Sequence, residues 1–333
     1  MPRSILPREG LTLEAIFVPV RLSLLQPLFT GSILLAIYQS PKLPLQWLSP
    51  DVLKFFQSPK ALVSLGVLFG IGLLRKTNNV MSRLVLNNFT IDNTWDWTKE
   101  IVIITGGCSG IGALMVQRFA EKNIQVISLD VTPPPTPGLE VANHIRKTHG
   151  EPTVLINNAG IGTNKTILDE TESELRRVFD VNIIAHFTLV KEFVPSMVRR
   201  NHGHVVTIAS MASFLVHAQN VDYTCTKASA LAFHEGLAQE LKSRYNASKV
   251  RTSIIHPTWI RTPLIESLIR RRKITDLVLE PETVAEAVVN QVLSGYGAQL
   301  ILPARLSIFS GLRGFPSWLQ ESMRNSVNRV LES

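Results

Sequence analysis

The chain has 333 residues, of which 45% are apolar and 18% charged, enough for one large domain or two smaller ones; this excludes a disordered chain and a wholly embedded transporter. A net charge of +8 favours anionic surfaces, but no helix-turn-helix, zinc-ligand or aromatic–basic pattern is present, so a membrane surface or a phosphorylated ligand is expected rather than nucleic acid. Two cysteines, Cys108 and Cys225, are too few for a disulfide scaffold and suit a reducing, cytosol-facing compartment.

Residues 1–80 form a separate apolar region. Residues 22–38 carry no charge but include Pro27, and residues 61–74 (ALVSLGVLFGIGLL) run straight into Arg75 and Lys76. A membrane-crossing helix needs about 20 apolar residues, so each run is short alone. Together they read as a re-entrant hairpin or two interfacial helices, with Trp47, Phe55 and Phe56 at headgroup level. Glycine-rich apolar runs beside cations make poor soluble helices, so this region is expected on a membrane. Arg75, Lys76 and Arg83 would keep the next domain on the cytosolic side. Residues 81–99, with Asn87, Asn88, Asn93 and the triplet Trp95-Asp96-Trp97, read as a linker.

Residues 101–112 (IVIITGGCSGIG) organise the rest of the chain. Ile101, Val102, Ile103 and Ile104 read as a buried parallel strand, and a helical pattern begins at Ala113. Between them lie Gly106, Ser109, Gly110, Ile111 and Gly112. Strand, glycine-rich turn and helix make a dinucleotide cradle: glycines let the backbone approach a pyrophosphate, and the helix N-terminus offers free N–H groups. A second strand at 125–129 ends in Asp130, 20 residues beyond Gly110, where a carboxylate can accept both adenosine ribose hydroxyls and repel a 2′-phosphate. That favours NAD(H), with NADP(H) as the alternative.

A proline-rich loop occupies 131–138, then come a helix at 139–148 and a strand at 153–156 ending in Asn157-Asn158-Ala159-Gly160. Helices are expected at 172–181 and 183–200, a strand at 204–208, a long helix from Tyr223 to about Tyr245, and a strand at 250–255. A helix at 282–293 and a short strand at 299–302 complete the pattern. This alternation predicts an α/β fold with a doubly wound parallel sheet.

Tyr223 and Lys227 are four apart and share a helix face, and Ser210 ends a strand 13 positions earlier. TGGCSGIG, NNAG, Asn182, Ser210 and Tyr223-Thr224-Cys225-Thr226-Lys227, in that order, resemble the short-chain dehydrogenase/reductase family over roughly residues 100–303. Hydride transfer at a carbinol carbon needs a proton moved at its oxygen. A tyrosine near pKa ~10 is a weak base at neutral pH, and a neighbouring ammonium with an oxidised nicotinamide would lower that value. The resemblance implies Tyr223 as proton donor and acceptor, Lys227 also on the nicotinamide ribose, Ser210 on the substrate oxygen and Asn182 holding a relay water. It further implies Ile111 and Asp130 against the cofactor, Asn158, Ala159 and Gly160 along its floor, and Ile260 and Thr262 near the carboxamide.

The sequence departs from the family twice. Thr258 stands where a glycine is usual. Only 23 residues separate Asp130 from Val154, room for one helix where the family has a further helix and edge strand. The sheet is therefore expected to lack one edge strand. A non-catalytic protein of this fold, or a shortened chain with impaired cofactor binding, is one alternative; an NADPH-dependent ketone reductase is another.

The apolar N-terminal region and, toward the amphipathic tail at 304–333, residues 300–305 and 315–319 resemble the membrane-bound retinol and 17β-hydroxysteroid dehydrogenase-like branch. That implies a small hydrophobic substrate (a retinoid, steroid or long-chain lipid), a place on endoplasmic reticulum or lipid droplets, and a homodimer through helices 172–200 and 223–245. His217, His234 and His256 lack metal-ligand spacing, so no metal is expected and they read as structural or substrate-facing, and the basic run at 270–273 reads as a solvated or membrane-facing face.

Overall fold

The computed structural model describes residues 8–10, 12–39, 49–130, 138–266, 270 and 277–328. Trp47, residues 131–137 of the proline-rich loop and residues 271–273 of the basic run lie outside them. The chain divides into two compact units, Met1–Val85 and Leu86–Ser333.

The first unit is helical: α1 (Leu13–Leu22), α2 (Pro27–Gln39), α3 (Pro50–Gln57) and α4 (Pro59–Leu86). Thr12 caps α1 by accepting from the Ala15 N–H at 3.2 Å. Helix packing here depends on small residues. A Cβ on Gly72 of α4 would stand 2.7 Å from the Leu25 carbonyl oxygen, and one on Gly31 of α2 would stand 3.1 Å from the Phe69 ring. The expectation that residues 61–74 fall short of a span is corrected. Arg75 and Lys76 are good helix formers and do not end the helix, so α4 runs 28 residues and is long and apolar enough to cross a membrane. Segments 15–22 and 27–39 meet that test only as a pair bent by 50°.

The second unit is a parallel α/β sheet. Its strands are β1 (Ile101–Thr105), β2 (Gln125–Leu129), β3 (Val154–Asn157), β4 (Gly203–Ile208), β5 (Val250–Pro257) and β6 (Ala298–Leu302), in spatial order β2-β1-β3-β4-β5-β6. Helices α5 (Gly110–Ala120), α6 (Gly138–His149), α7 (Glu172–Phe179), α8 (Ala185–Arg200), α9 (Val221–Ser243) and α10 (Pro281–Leu293) connect them, and α11 (Ser317–Asn328) comes last. Strand residues alternate faces, and the core divides accordingly. Val102, Ile104, Val154, Ile156 and Val206 pack with α5 and α10. Ile103, Leu155 and Val205 pack with α6, α8 and α9 on the other side.

Among the described residues α6 alone links β2 to β3 across β1, and β2 has no outer neighbour. The missing edge strand is thus borne out; β2 keeps exposed positions where β1 is wholly buried. Because the chain steps from β1 outward to β2 and then back to β3, the C-terminal ends of β1 and β3 flank a topological switch point, where ligands of open α/β sheets bind.

One local irregularity has no counterpart in the sequence pattern. The helix through Asn182 is not two α-helices with a break but α7 and α8 joined by a π-turn, Asp180–Ile184. Such widened turns are frequent at functional sites.

Residues 87–100 run along the N-terminal ends of the strands. Asn87 exchanges hydrogen bonds with Gly297, donating through Nδ2 at 3.1 Å and accepting from its N–H at 2.7 Å. The buried Arg251 donates to the carbonyls of Asn87 and Thr90, each at 3.0 Å. His202 lies between Asp92 (2.9 Å) and Glu100 (3.4 Å), with Trp95 against its ring and Trp97 stacked on Trp95.

Candidate active site

A cleft of about 1140 Å³ opens at the switch point, larger than the ~300–1000 Å³ of a single small-molecule pocket and roomy enough for two ligands. Its base is the glycine turn after β1. Gly106 and Gly110 have φ of +66° and +52°, a region that favours glycine. A Cβ on Gly112 would lie 2.0 Å from the Gly106 carbonyl oxygen, so only glycine lets the turn close on α5. Ser109 stands at the N-cap of α5 with no side-chain capping bond, and its side chain lines the cleft with Ile111. Gly112 itself is buried behind the turn.

The tips of β1 and β3 are tied together. Thr105 Oγ1 accepts from the N–H groups of Asn158 (2.9 Å) and Ala159 (3.0 Å), and Asn158 Nδ2 donates to the Thr105 carbonyl at 2.9 Å. Asn158, Ala159 and Gly160 thereby form one side of the cleft. Asp130, past the end of β2, accepts from the Cys108 N–H at 3.0 Å and lines the same cleft. Ile260 and Thr262 close it from the opposite side, Thr262 Cγ2 lying 3.5 Å from a Cβ built on Gly110. Thr258 is not among the residues of positive φ, and its N–H donates to the Leu302 carbonyl at 2.9 Å. Nothing in that turn requires a glycine.

Ser210, Tyr223 and Lys227 share one wall. The Lys227 ammonium donates to the Ile208 carbonyl at 2.8 Å and lies 5.4 Å from the centre of the Tyr223 ring. Burial draws its pKa down to about 8. The Tyr223 phenol moves opposite to the lowering expected for the cofactor-bound site. Burial pushes it up to about 12, and a hydrogen bond from Ser210 offsets only part of that. Asn182 does not line the cleft. It is fully buried, its Oδ1 accepting from the Ile161 N–H (2.9 Å) and its Nδ2 donating to the Ile161 carbonyl (2.8 Å) and Thr226 Oγ1 (3.0 Å).

The three histidines expected to be structural or substrate-facing lie behind and beside this wall, though their partners carry no sequence signal. His256 Nδ1 lies 3.1 Å from the Ser210 carbonyl oxygen, which can only accept, so that nitrogen carries the proton. Burial lowers the His256 pKa to about 4, so the ring is neutral and Nε2 is left to accept from Gln299 (3.4 Å). His217 lines the cleft beside Trp259, whereas His234 is buried. Periodicity carries no signal for these contacts, since they join residues far apart in sequence. Among the described residues no three His, Cys, Asp or Glu side chains are grouped to hold a metal.

The profile of the short chain dehydrogenase family matches residues 128–273. The chain is 45% identical over 194 residues to dehydrogenase RED2 of Cochliobolus heterostrophus, covering 53% of this chain and 73% of that protein. It is 30% identical over 260 residues to estradiol 17-beta-dehydrogenase 11 of Rattus norvegicus, covering 69% of this chain and 84% of that one. Among solved structures, the ligand-free aldohexose dehydrogenase of Thermoplasma acidophilum superposes with a TM-score of 0.54 at 24% identity, covering 63% of this chain and 94% of that chain.

Proposed function

The chain belongs to the short-chain dehydrogenase family and resembles its retinol and 17β-hydroxysteroid dehydrogenase-like branch, and from that premise we propose that it interconverts a hydrophobic alcohol and its ketone or aldehyde with NAD(H) as preferred cofactor. The observation that carries the reading is the convergence of Ser210, Tyr223 and Lys227 on one wall of a cleft whose base is a glycine cradle. The nicotinamide, when bound, accepts or supplies the hydride.

The residues present fit such a group. Gly106, Ser109, Gly110 and Ile111 would hold the pyrophosphate at the start of α5, with Gly112 letting the turn close behind them. Asp130 would hold the adenosine ribose and disfavour a 2′-phosphate. Asn158, Ala159 and Gly160 would support the cofactor from below, Ile260 and Thr262 would meet the carboxamide, and Lys227 would bond the nicotinamide ribose. Tyr223 moves the proton at the substrate oxygen. With a pKa near 12 the phenol is protonated at neutral pH and suited to donate during reduction. Oxidation requires the phenolate, which the Lys227 ammonium and a positively charged nicotinamide favour. Ser210 bonds the substrate oxygen, backed by His256. Asn182, buried off the cleft with its side chain bonded to Ile161 and Thr226, acts by holding the loop at Ile161.

Val181, Ile184, Leu189, Met211, Trp259 and Leu264 give the cleft its apolar lining, which supports a retinoid, steroid or long-chain lipid substrate. The length of α4 supports membrane residence, here assigned to endoplasmic reticulum or lipid droplets with the catalytic unit on the cytosolic side. Pairing through helices 172–200 and 223–245 would make a homodimer. A second reading, a non-catalytic protein of this fold, draws on the open edge at β2. The test is a screen of retinoids, steroids and long-chain alcohols with NAD⁺, using Tyr223→Phe as control. Turnover of at least one, lost in the variant, is expected; turnover that survives Tyr223→Phe contradicts the assignment.

A further inference from the structure

A carboxyl pair stands beside the proposed proton carrier. Asp222 precedes Tyr223 on α9 and is 4% exposed. Its Oδ2 accepts from the Thr163 N–H at 3.2 Å and lies 3.1 Å from Thr163 Oγ1. The same hydroxyl oxygen is 3.1 Å from Glu170 Oε1. A threonine hydroxyl has one proton to donate, so with both carboxyls ionised one of these contacts sets lone pair against lone pair. A single proton held by the pair removes the conflict. Burial and the charge of Asp222 both push the Glu170 carboxyl above its ordinary range, as expected for close carboxyls. Asp222 Oδ1 is buried with no hydrogen-bond partner.

Thr163 belongs to a loop that crosses the face of Tyr223. A Cβ on Gly162 would lie 3.5 Å from Tyr223 Cδ2, so the loop backbone is in contact range of the ring. Asn182 holds the loop upstream through both backbone groups of Ile161. Downstream, Thr163 and Glu170 close it just before the capping box of α7, where Lys165 is bound to Glu174 at 2.7 Å. We propose that Asp222 and Glu170 share one proton and, through Thr163, clamp loop 161–170 against Tyr223, releasing it as the pair ionises.

The charged groups facing the pair are Glu174 from α7, whose charge also raises Glu170, and Lys165, which neutralises Glu174 from within the loop. A carboxyl whose pKa is raised in the folded state stabilises most below its unfolded value, and that contribution disappears as pH rises through the raised value. The clamp is therefore firm in weak acid and loosens toward alkaline pH. Asp222, Thr163 and Glu170 are positioning residues, acting through the loop on Tyr223. The positioning half of the proposal rests on reading Tyr223 as the proton carrier.

The test is hydrogen exchange on the full chain without cofactor from pH 5 to 9, with protection corrected for intrinsic rate and the β3 amides as internal reference. Glu170→Gln keeps a proton on the pair at every pH, and Thr163→Val keeps the shape but removes the hydroxyl. At pH 5 the wild type and Glu170→Gln should protect the Thr163 amide equally. By pH 9 wild-type protection should fall about five-fold, the loss of roughly one buried hydrogen bond, while Glu170→Gln stays level. Thr163→Val should be low throughout. Superimposed wild-type and Glu170→Gln profiles, or full protection in Thr163→Val at pH 5, overturn the clamp. For positioning, the ratio of kcat in Glu170→Gln to wild type should rise with pH while the KM ratio stays flat; a flat kcat ratio overturns that half. Turnover that survives Tyr223→Phe would sink the acid/base reading alone, leaving the exchange profiles to decide the clamp.

Discussion

The two ends of the sheet solve opposite problems. At the N-terminal ends of the strands, residues 87–100 are bound down by groups that complete one another: Arg251 donates to two carbonyls, Asn87 exchanges bonds with Gly297, and His202 lies between two carboxylates. At the C-terminal ends, glycines hold the backbone open, Lys227 is buried against a single carbonyl, and Tyr223 carries a displaced pKa. One end is held chiefly by bonds within the chain, although Arg251 Nε and Trp95 Nε1 are buried without a partner, and the other keeps chemistry in reserve for what binds there. Substitutions at the first should therefore alter stability without chemistry, and at the second chemistry without stability.

The sharpest version of that contrast is Tyr223→Phe. It should lower kcat by about 10³-fold, the scale of a lost general acid/base, with the melting temperature unchanged; steady-state rates and calorimetry together check it. Next is Arg251→Met at the opposite end. Leaving the Thr90 carbonyl unpaired, while the Asn87 carbonyl keeps its bonds from Thr90, should cost about 1–3 kcal/mol in denaturant unfolding while kcat of the folded fraction holds. Asp130→Ala returns to the cleft. Loss of a charged hydrogen-bond acceptor, about 1.5–3 kcal/mol, should weaken NADH roughly 10- to 100-fold, and loss of the charge that opposes a 2′-phosphate should tighten NADPH in the same binding titration.

The smallest effect tests how the N-terminal end depends on pH. Bonds to Glu100 and Asp92 raise the His202 pKa. For Glu100, the bond from His202 is the leading contribution among those that outweigh burial and lower its pKa; for Asp92, the bonds from Thr94 and then His202 do the same. The His202 contribution is complete below its unfolded value and disappears as pH rises through the folded one; the carboxylate contributions are lost as pH falls. His202→Gln should destabilise by about 1–2 kcal/mol near pH 6, with the gap to wild type narrowing above the folded-state pKa. A constant gap from pH 6 to 9 would contradict the imidazolium.

What could be read from the sequence is what depends on neighbours along the chain. The apolar run at 101–104 and the mixed segment at 125–129 became β1 and β2 because β-branched residues between turn signals leave few alternatives. The short connection after Asp130 disclosed the missing edge strand by residue count alone. The end of α4 was misjudged because charge was read as a boundary, although lysine and arginine continue a helix well. The π-turn at Asn182, the His256–Ser210 contact, the Asp222–Thr163 bond and the seating of His202 were out of reach. Each pairs residues 20 to 110 positions apart or depends on a widened turn that no periodicity announces.

The central claim is that a cleft beside an open sheet edge still holds a nicotinamide dinucleotide, and titration of the purified full chain with NADH and NADPH tests it most directly. Saturable NADH binding, tighter than NADPH, is the predicted result. Binding of neither would show that the cradle does not close without the absent strand, and would overturn the account.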